Sequence, residues 1–242
     1  MTSTNHLWLS APTDLILLPD EVHVWRIGLD VVESELQNLL ATLSSDELVR
    51  ANRFRFDEHR RRFIAGRGIL RSILSSYLNI KPQEVGFDYE PRGKPMLAAS
   101  LAKSGLLFNL SHSEGLALCG VNYRRKIGID LECMRSLSDL ESLAQRFFLP
   151  QEYDMVRSLS SHQQQEVFFR YWTCKEAYLK ATGDGISQLE QVEISLTLTQ
   201  PAKLITSEDW SLLELTPANN YCAALAVAGS DWNLKCWQYC LN

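Results

Sequence analysis

Between Ile127 and Glu132 apolar and small or acidic positions alternate without a break: Ile127-Gly128-Ile129-Asp130-Leu131-Glu132. A period of two is the signature of a strand with one buried face. Ile127, Ile129 and Leu131 must then look into a core, while Asp130 and Glu132 share the opposite face. Any fold open to this chain has to bury one side of that strand and keep two carboxylates about 6.5 Å apart along the other. That spacing lets both reach one cation. Gly128, one position earlier on the same face, is expected to leave it open to the close approach of a ligand. An Asp-x-Glu pair on a strand is nevertheless common and mostly solvated, so the pair alone does not establish a metal site.

A second acidic element lies on a helical pattern. From about 162 to 182 the periodicity predicts a long helix ending at Gly183. Within it, Trp172, Glu176 and Lys180 fall on one stripe at i, i+4 and i+8. An earlier helix is expected over 58–78, with Phe63, Leu70, Ile73, Leu74 and Tyr77 at helical spacing. Ser44 and Glu47 form a capping-box signal for a short helix near 45–53. Pro91-Arg92-Gly93-Lys94-Pro95 is dense in turn formers and should present Lys94 on a loop. Strands are expected at 22–27, 107–110 and 116–121, the last two forming a hairpin with Ser111 and His112 near its tip. A helix over 137–148 ends at Pro150, and short strands follow near 191–198, 210–215, 221–228 and 233–239. Each half of the chain therefore sets a long helix beside short strands, an α+β pattern.

Composition narrows the function classes. The 242 residues are 45% hydrophobic and 22% charged, ordinary for a globular protein with a real core. No stretch approaches the length of a bilayer span, and the first residues lack a leader pattern. No membrane association and a cytoplasmic location are expected. The six cysteines form no CxxC pair, which argues against zinc and a disulfide scaffold. Net charge is -5, yet arginines 50, 53, 55, 60, 61, 62, 67 and 71 face only Asp57 and Glu58, so this segment carries +6. A basic patch on an acidic protein suits a small polyanion or an acidic partner, and not long nucleic acid.

Taken in order, Gly93-Lys94-Pro95, Phe108-Asn109-Leu110-Ser111-His112-Ser113, Ile127 to Glu132 and Trp172 to Lys180 resemble the 4'-phosphopantetheinyl transferases of the surfactin-activating (Sfp) type. The resemblance spans about 44–188 and is slightly nearer to cyanobacterial members in the arginine-rich segment. It implies two similar α+β halves, 1–122 and 123–242, related by a pseudo-twofold axis, with coenzyme A in the cleft between them. Carried over by position, Asp130, Glu132 and Glu176 are the implied Mg²⁺ ligands and Lys180 the partner of the coenzyme A pyrophosphate. Ser111, His112, Lys94, Arg62 and Arg50 are implied at the 3'-phosphate end. Glu47 and Phe63 depart from members that carry a basic and a small hydroxyl residue there.

The implied reaction moves 4'-phosphopantetheine from coenzyme A to a serine of an apo acyl carrier protein, or of a carrier domain of fatty-acid, polyketide or peptide synthases. Three carboxylates suit a hard cation that binds through oxygen. Glu176 and Lys180 are the implied catalytic pair, the first as ligand, base or both. The segment just after the Asp-x-Glu strand is an implied docking surface for the carrier. Trp172 and Tyr178 are expected to pack, not react. His112 beside Ser111 mimics a nucleophile pair but lacks an acidic orienting partner. Two other classes stand beside the transferase: a non-catalytic coenzyme A or carrier-protein binding module, and an unrelated Mg²⁺ phosphohydrolase. A fold that supplies both sides of its own cleft permits a monomer.

Overall fold

A computed structural model describes residues 6–241. Its first part runs β1 (Leu9–Ser10), β2 (Glu21–Gly28), α1 (Glu33–Leu40), α2 (Ser45–Ala51), α3 (Asp57–Leu78), β3 (Phe87–Tyr89), β4 (Pro95–Leu97), β5 (Leu106–Ser113) and β6 (Leu116–Tyr123). The second continues with β7 (Ile127–Cys133), α4 (Leu140–Phe147), α5 (Pro150–Arg157), α6 (Ser161–Thr182), β8 (Glu193–Ser195), β9 (Lys203–Ile205), β10 (Trp210–Leu215), β11 (Tyr221–Ala228) and β12 (Asn233–Gln238). The class is α+β, as the alternation of patterns predicts.

The expected ends of the two long helices hold because the residues there can stop a helix. Gly183 takes the left-handed conformation (φ 87°) after α6, and Asn79 does the same (φ 53°) after α3. Pro150 stops α4 but also opens α5 from its first position, where its missing N–H costs nothing. The sequence pattern missed that helix, and α1 as well. The hairpin tip also shifts: Ser111 and His112 lie inside β5, and the turn falls at Glu114-Gly115, with Glu114 at φ 51°. The strand expected over 191–198 shortens to β8, and β9, which the pattern did not give, pairs antiparallel with it.

The two parts share one topology. In each, a strand leads into a 22-residue helix and then an antiparallel hairpin whose second strand sits in the middle. The orders are β2-β6-β5 around α3 and β7-β11-β10 around α6. Strand β12 then returns to the first sheet and pairs parallel with β2.

The two larger sheets are each covered on both faces. Ile64, Ile69, Leu70 and Ile73 of α3 pack on Trp25, Ile27, Ala117 and Cys119. Phe168, Tyr171, Cys174 and Ala177 of α6 pack on Ala224 and Ala226. Between the sheets lie Val22, Val24 and Leu118 from one, with Ile127, Ile129, Leu131 and Leu225 from the other. Burying each such aliphatic side chain contributes roughly 1.5–3 kcal/mol before chain entropy is counted. The apolar phase of β7 therefore serves the inter-sheet core, and its other phase, Gly128, Asp130 and Glu132, faces α6.

The rotation of α6 about its own axis is set by a buried ion pair. Lys175 and Glu152 are both at or below 1% exposure and meet at 2.7 Å. The ammonium also donates to the carbonyls of Leu189 and Val192, and Glu152 accepts from Ile194 N and Leu149 N. With every donor used, the pair ties α6 to α5 and the segment after α6.

Candidate active site

Gly128 determines how near α6 comes to β7. A Cβ built there would lie 2.0 Å from the Ala177 carbonyl oxygen and 2.4 Å from Ala181 N. The space expected to admit a ligand is instead filled by helix backbone. Only a residue without a side chain allows that approach, and its effect is to carry Glu176 and Lys180 to the carboxylates of β7.

Lys180 Nζ bonds Asp130 Oδ1 at 2.5 Å and Ser111 Oγ at 3.0 Å. Burial alone would lower the ammonium pKa, but the charges of Asp130, Glu176 and Glu132 raise it. Asp130 Oδ2 is buried and has no hydrogen-bond partner. Burial, and then the charge of Asp130, push the Glu176 carboxyl up to about 7, although Lys180 pulls the other way. Glu132 is raised for the same two reasons, opposed by its bond from Ser113 and by Lys180 and Arg135. These mutual effects mark three carboxylates and one ammonium in a common field. Among the described residues no three acidic, histidine or cysteine side chains are placed so that they could hold a metal ion together as they stand. Lys180 holds Asp130 instead.

Strand β5 flanks this group and joins it to β7 through side chains. Asn109 Oδ1 accepts from Ile129 N at 2.8 Å, Ser111 donates to Asp130 at 3.0 Å, and Ser113 donates to Glu132 at 3.0 Å while accepting from Cys133 N. Positions i, i+2 and i+4 of β5 thus replace the backbone ladder that two neighbouring strands would ordinarily share.

A cleft of about 580 Å³ opens beside β5, lined by residues including Arg50, Arg62, Phe63, Arg67, His112, Ser113 and, from the second part, Arg135. The guanidiniums of Arg50 and Arg67 lie 5.2 and 6.0 Å from the Phe63 ring, and Phe54 packs on it at 5.3 Å. His112 is held below the usual histidine range by burial and by the charges of Lys180 and Arg50. The cleft is a positive, partly aromatic hollow, and its chemistry suits a phosphorylated base.

Two models of known families match this architecture in order. The 4'-phosphopantetheinyl transferase N-terminal model covers residues 30–121, and the 4'-phosphopantetheinyl transferase superfamily model covers 126–226. The 4'-phosphopantetheinyl transferase HetI of Nostoc sp. (strain PCC 7120) is 68% identical over 234 residues, which is 97% of this chain and 99% of that one. This chain belongs to the 4'-phosphopantetheinyl transferase family. It is an enzyme of that family, 28% identical over 155 residues to the 4'-phosphopantetheinyl transferase Sfp of Bacillus subtilis (strain 168), across 64% of this chain and 66% of the relative. A holo-(acyl-carrier-protein) synthase from Bacillus anthracis in complex with CoA (3',5'-ADP) is 24% identical, covers 42% of this chain and 93% of its own, and superposes with a TM-score of 0.38.

Within this transferase the expected residues separate. Asp130, Glu132, Glu176, Lys180 and Ser111 come together. Arg50, Arg62 and His112 line the cleft, but Arg62 is already engaged by Asp30 at 2.8 Å and Glu58 at 2.7 Å. Lys94 points elsewhere: its Nζ donates to the carbonyls of Lys180 at 2.5 Å and Ile127 at 3.3 Å, capping the end of α6 against the start of β7. Burial lowers its pKa. Trp172 and Tyr178 pack, on Phe147 and Phe168 and on Trp210 respectively.

The departure at Glu47 has a structural cause. Glu47 is 1% exposed, caps Ser44 N at 3.0 Å and meets Arg71 at 2.8 Å. It belongs to the core, not to the cleft. Arg67, 7% exposed and 3.5 Å from Glu47, keeps Nη1 without a hydrogen-bond partner while lining the cleft. Sequence reasoning did not single out Arg67. The available signal was its place at i+4 from Phe63 and i-4 from Arg71, a charged residue on the inward stripe of α3.

Proposed function

We propose that this enzyme transfers 4'-phosphopantetheine from coenzyme A to a serine of an apo carrier protein or carrier domain, releasing 3',5'-ADP, with Mg²⁺ as the metal. The observation that carries this reading is the meeting of Asp130, Glu132, Glu176 and Lys180, made possible by Gly128. The carboxylates fit Mg²⁺: all donors are oxygen, Asp130 Oδ2 is buried without a partner, and the cluster carries more negative charge than Lys180 offsets. Asp130, Glu132 and Glu176 would hold the ion. When bound, it supplies Lewis-acid neutralisation of the diphosphate and of charge on the leaving group.

The remaining steps belong to the chain. Lys180, whose ammonium bonds Asp130 in the free protein, would turn to the diphosphate oxygens and donate to them as charge builds there. Glu176, in a site that already raises its proton affinity, accepts the proton of the attacking serine. The serine Oγ–P bond forms and the bond from phosphorus to 3',5'-ADP breaks. Arg50, Arg62, Arg67 and His112 orient the nucleotide end in the cleft, against the Phe63 ring. Lys94 keeps α6 and β7 in register and so fixes the distance between Lys180 and Asp130.

The segments 1–122 and 123–242 act as two similar halves related by a pseudo-twofold axis, which is consistent with their shared topology. Because residues of both line the cleft, one chain completes the site and works as a monomer. The exposed residues between β7 and α4 are the docking surface for the carrier. A cytoplasmic site of action goes with this substrate class; among the described residues no helix is long and apolar enough to cross a membrane.

The test is to incubate the protein with coenzyme A, Mg²⁺ and a panel of apo carriers, and to weigh the carriers. A Mg²⁺-dependent mass gain that Asp130→Ala and Glu176→Ala abolish is expected. No gain on any carrier would leave a binding module, and phosphate release from simple esters without an acceptor would make the protein a phosphohydrolase.

A further inference from the structure

Ser113 ends strand β5 where the cleft meets the carboxylates. It lines the cleft, and its hydroxyl is used twice, accepting Cys133 N–H at 3.0 Å and donating to Glu132 Oε2 at 3.0 Å. A hydroxyl has one proton and two lone pairs. With the oxygen anchored on a backbone N–H of β7, the direction left for the proton is the one toward Glu132. Ser111 makes the parallel bond to Asp130, but the donor to its own oxygen is the ammonium of Lys180, at the end of a flexible chain. Of the two serines, only Ser113 takes its orientation from the strand that carries the carboxylates.

We infer that Ser113 is a positioning residue: it holds the Glu132 carboxylate in one orientation and thereby makes the cluster selective for a small octahedral cation over a larger one. The inference rests on the metal reading given above. Mg²⁺ requires near-ideal octahedral geometry at about 2.0–2.1 Å, whereas Ca²⁺ accepts oxygen ligands at about 2.3–2.6 Å in flexible arrangements. A carboxylate free to swing serves Ca²⁺ as well as Mg²⁺; one held by a backbone-anchored hydroxyl favours the ion that tolerates less error. Partners of this kind, one shell out from the ligand, are worth about 10–100-fold in metal affinity.

The experiment measures Mg²⁺ and Ca²⁺ affinities of the full-length protein by calorimetry, without coenzyme A or carrier, for the wild type, Ser113→Ala and Ser113→Thr. Ser113→Ala is expected to weaken Mg²⁺ binding by about 10-fold or more and Ca²⁺ binding by clearly less, so that the Mg²⁺/Ca²⁺ ratio falls. Ser113→Thr, which keeps the hydroxyl on a strand, is expected to restore the ratio. Should Ser113→Ala fail to fold, Ser113→Cys, a weak donor of similar size, is read in the same way. An unchanged ratio, with or without loss of thermal stability, would leave Ser113 a purely structural residue and overturn the inference. A wild type that binds neither ion, with coenzyme A absent or present, overturns the metal reading itself, and it is told apart because it appears before any substitution is made.

Discussion

Lys180 Nζ lies 2.5 Å from Asp130 Oδ1, while Oδ2 of the same carboxylate is buried without a hydrogen-bond partner. The lysine and the proposed ion are then two cations competing to neutralise one carboxylate. Replacing Lys180 by Met leaves Asp130, 4% exposed, without its cation, at a cost of about 1–3 kcal/mol in the absence of metal, discounted because the lysine is partly solvated. Mg²⁺ should raise the melting temperature of this variant more than that of the wild type, since no ammonium already offsets the charge of Asp130. Equal metal-induced shifts would show that the two cations do not compete.

Gly128→Ala places a methyl against the Ala177 carbonyl and pushes α6 off β7. A loss of about 2 kcal/mol or more is expected in urea denaturation. Because Glu176 and Lys180 ride on α6, kcat should fall about 100-fold in the fraction that remains folded, as misplacement near 1 Å does elsewhere. Unaltered kcat in a destabilised variant would mean that the helix adjusts without carrying the site with it.

Arg67→Gln removes the buried guanidinium from the cleft and leaves Glu47 paired with Arg71. Binding of 3',5'-ADP should weaken about 10-fold relative to 5'-AMP, the worth of a charge-assisted hydrogen bond to one phosphate. Competition titrations read this ratio directly, with exposed Arg55→Gln as the control. A ratio that does not move would place the 3'-phosphate away from Arg67.

His23, 2% exposed, is held below the ordinary histidine pKa chiefly by burial, although Glu21 opposes this. Its ring bonds the Tyr77 hydroxyl at 2.7 Å and Glu21 at 3.1 Å. The unfolded chain therefore takes up a proton at higher pH than the folded one does. The contribution of His23 to stability is complete above about pH 6.5 and is lost as pH falls from there toward the folded pKa, with a slope of at most about 1.4 kcal/mol per pH unit. His23→Gln should flatten that part of the stability profile in denaturant melts; an identical slope in the variant would assign it to another group.

The parts of the fold legible in the sequence were those written in local chemistry. Gly183 and Asn79 end the long helices, Ser44 and Glu47 cap α2, and the alternation from Ile127 to Glu132 separates core from carboxylates as expected. What was not legible depends on which neighbour arrives. Gly128 carried the right message, a close approach, but nothing in the sequence told helix backbone from ligand. Lys94 sits on a turn, as its Gly and Pro neighbours require, yet its ammonium found carbonyls of α6 and β7. Ser113 was hidden because a serine on a strand has no pattern of its own. The polar phase Asn109, Ser111, Ser113 acquires meaning only beside Asp130 and Glu132, in a register that a loop and a second sheet establish.

The return of β12 to the first sheet governs the order in which the molecule can be finished. Arg26 and Gln238, 212 residues apart, are hydrogen-bonded across the β2–β12 pair. On a ribosome, β2 must therefore wait for nearly the whole chain, with the backbone edge that β12 will cover still unpaired. Expressed alone, residues 1–122 would present that edge permanently, together with the flank of Trp25 that Trp237 and Tyr239 cover in the finished molecule. Self-association is the fate expected of such a fragment, and adding the missing strand as a separate peptide is the natural way to rescue it.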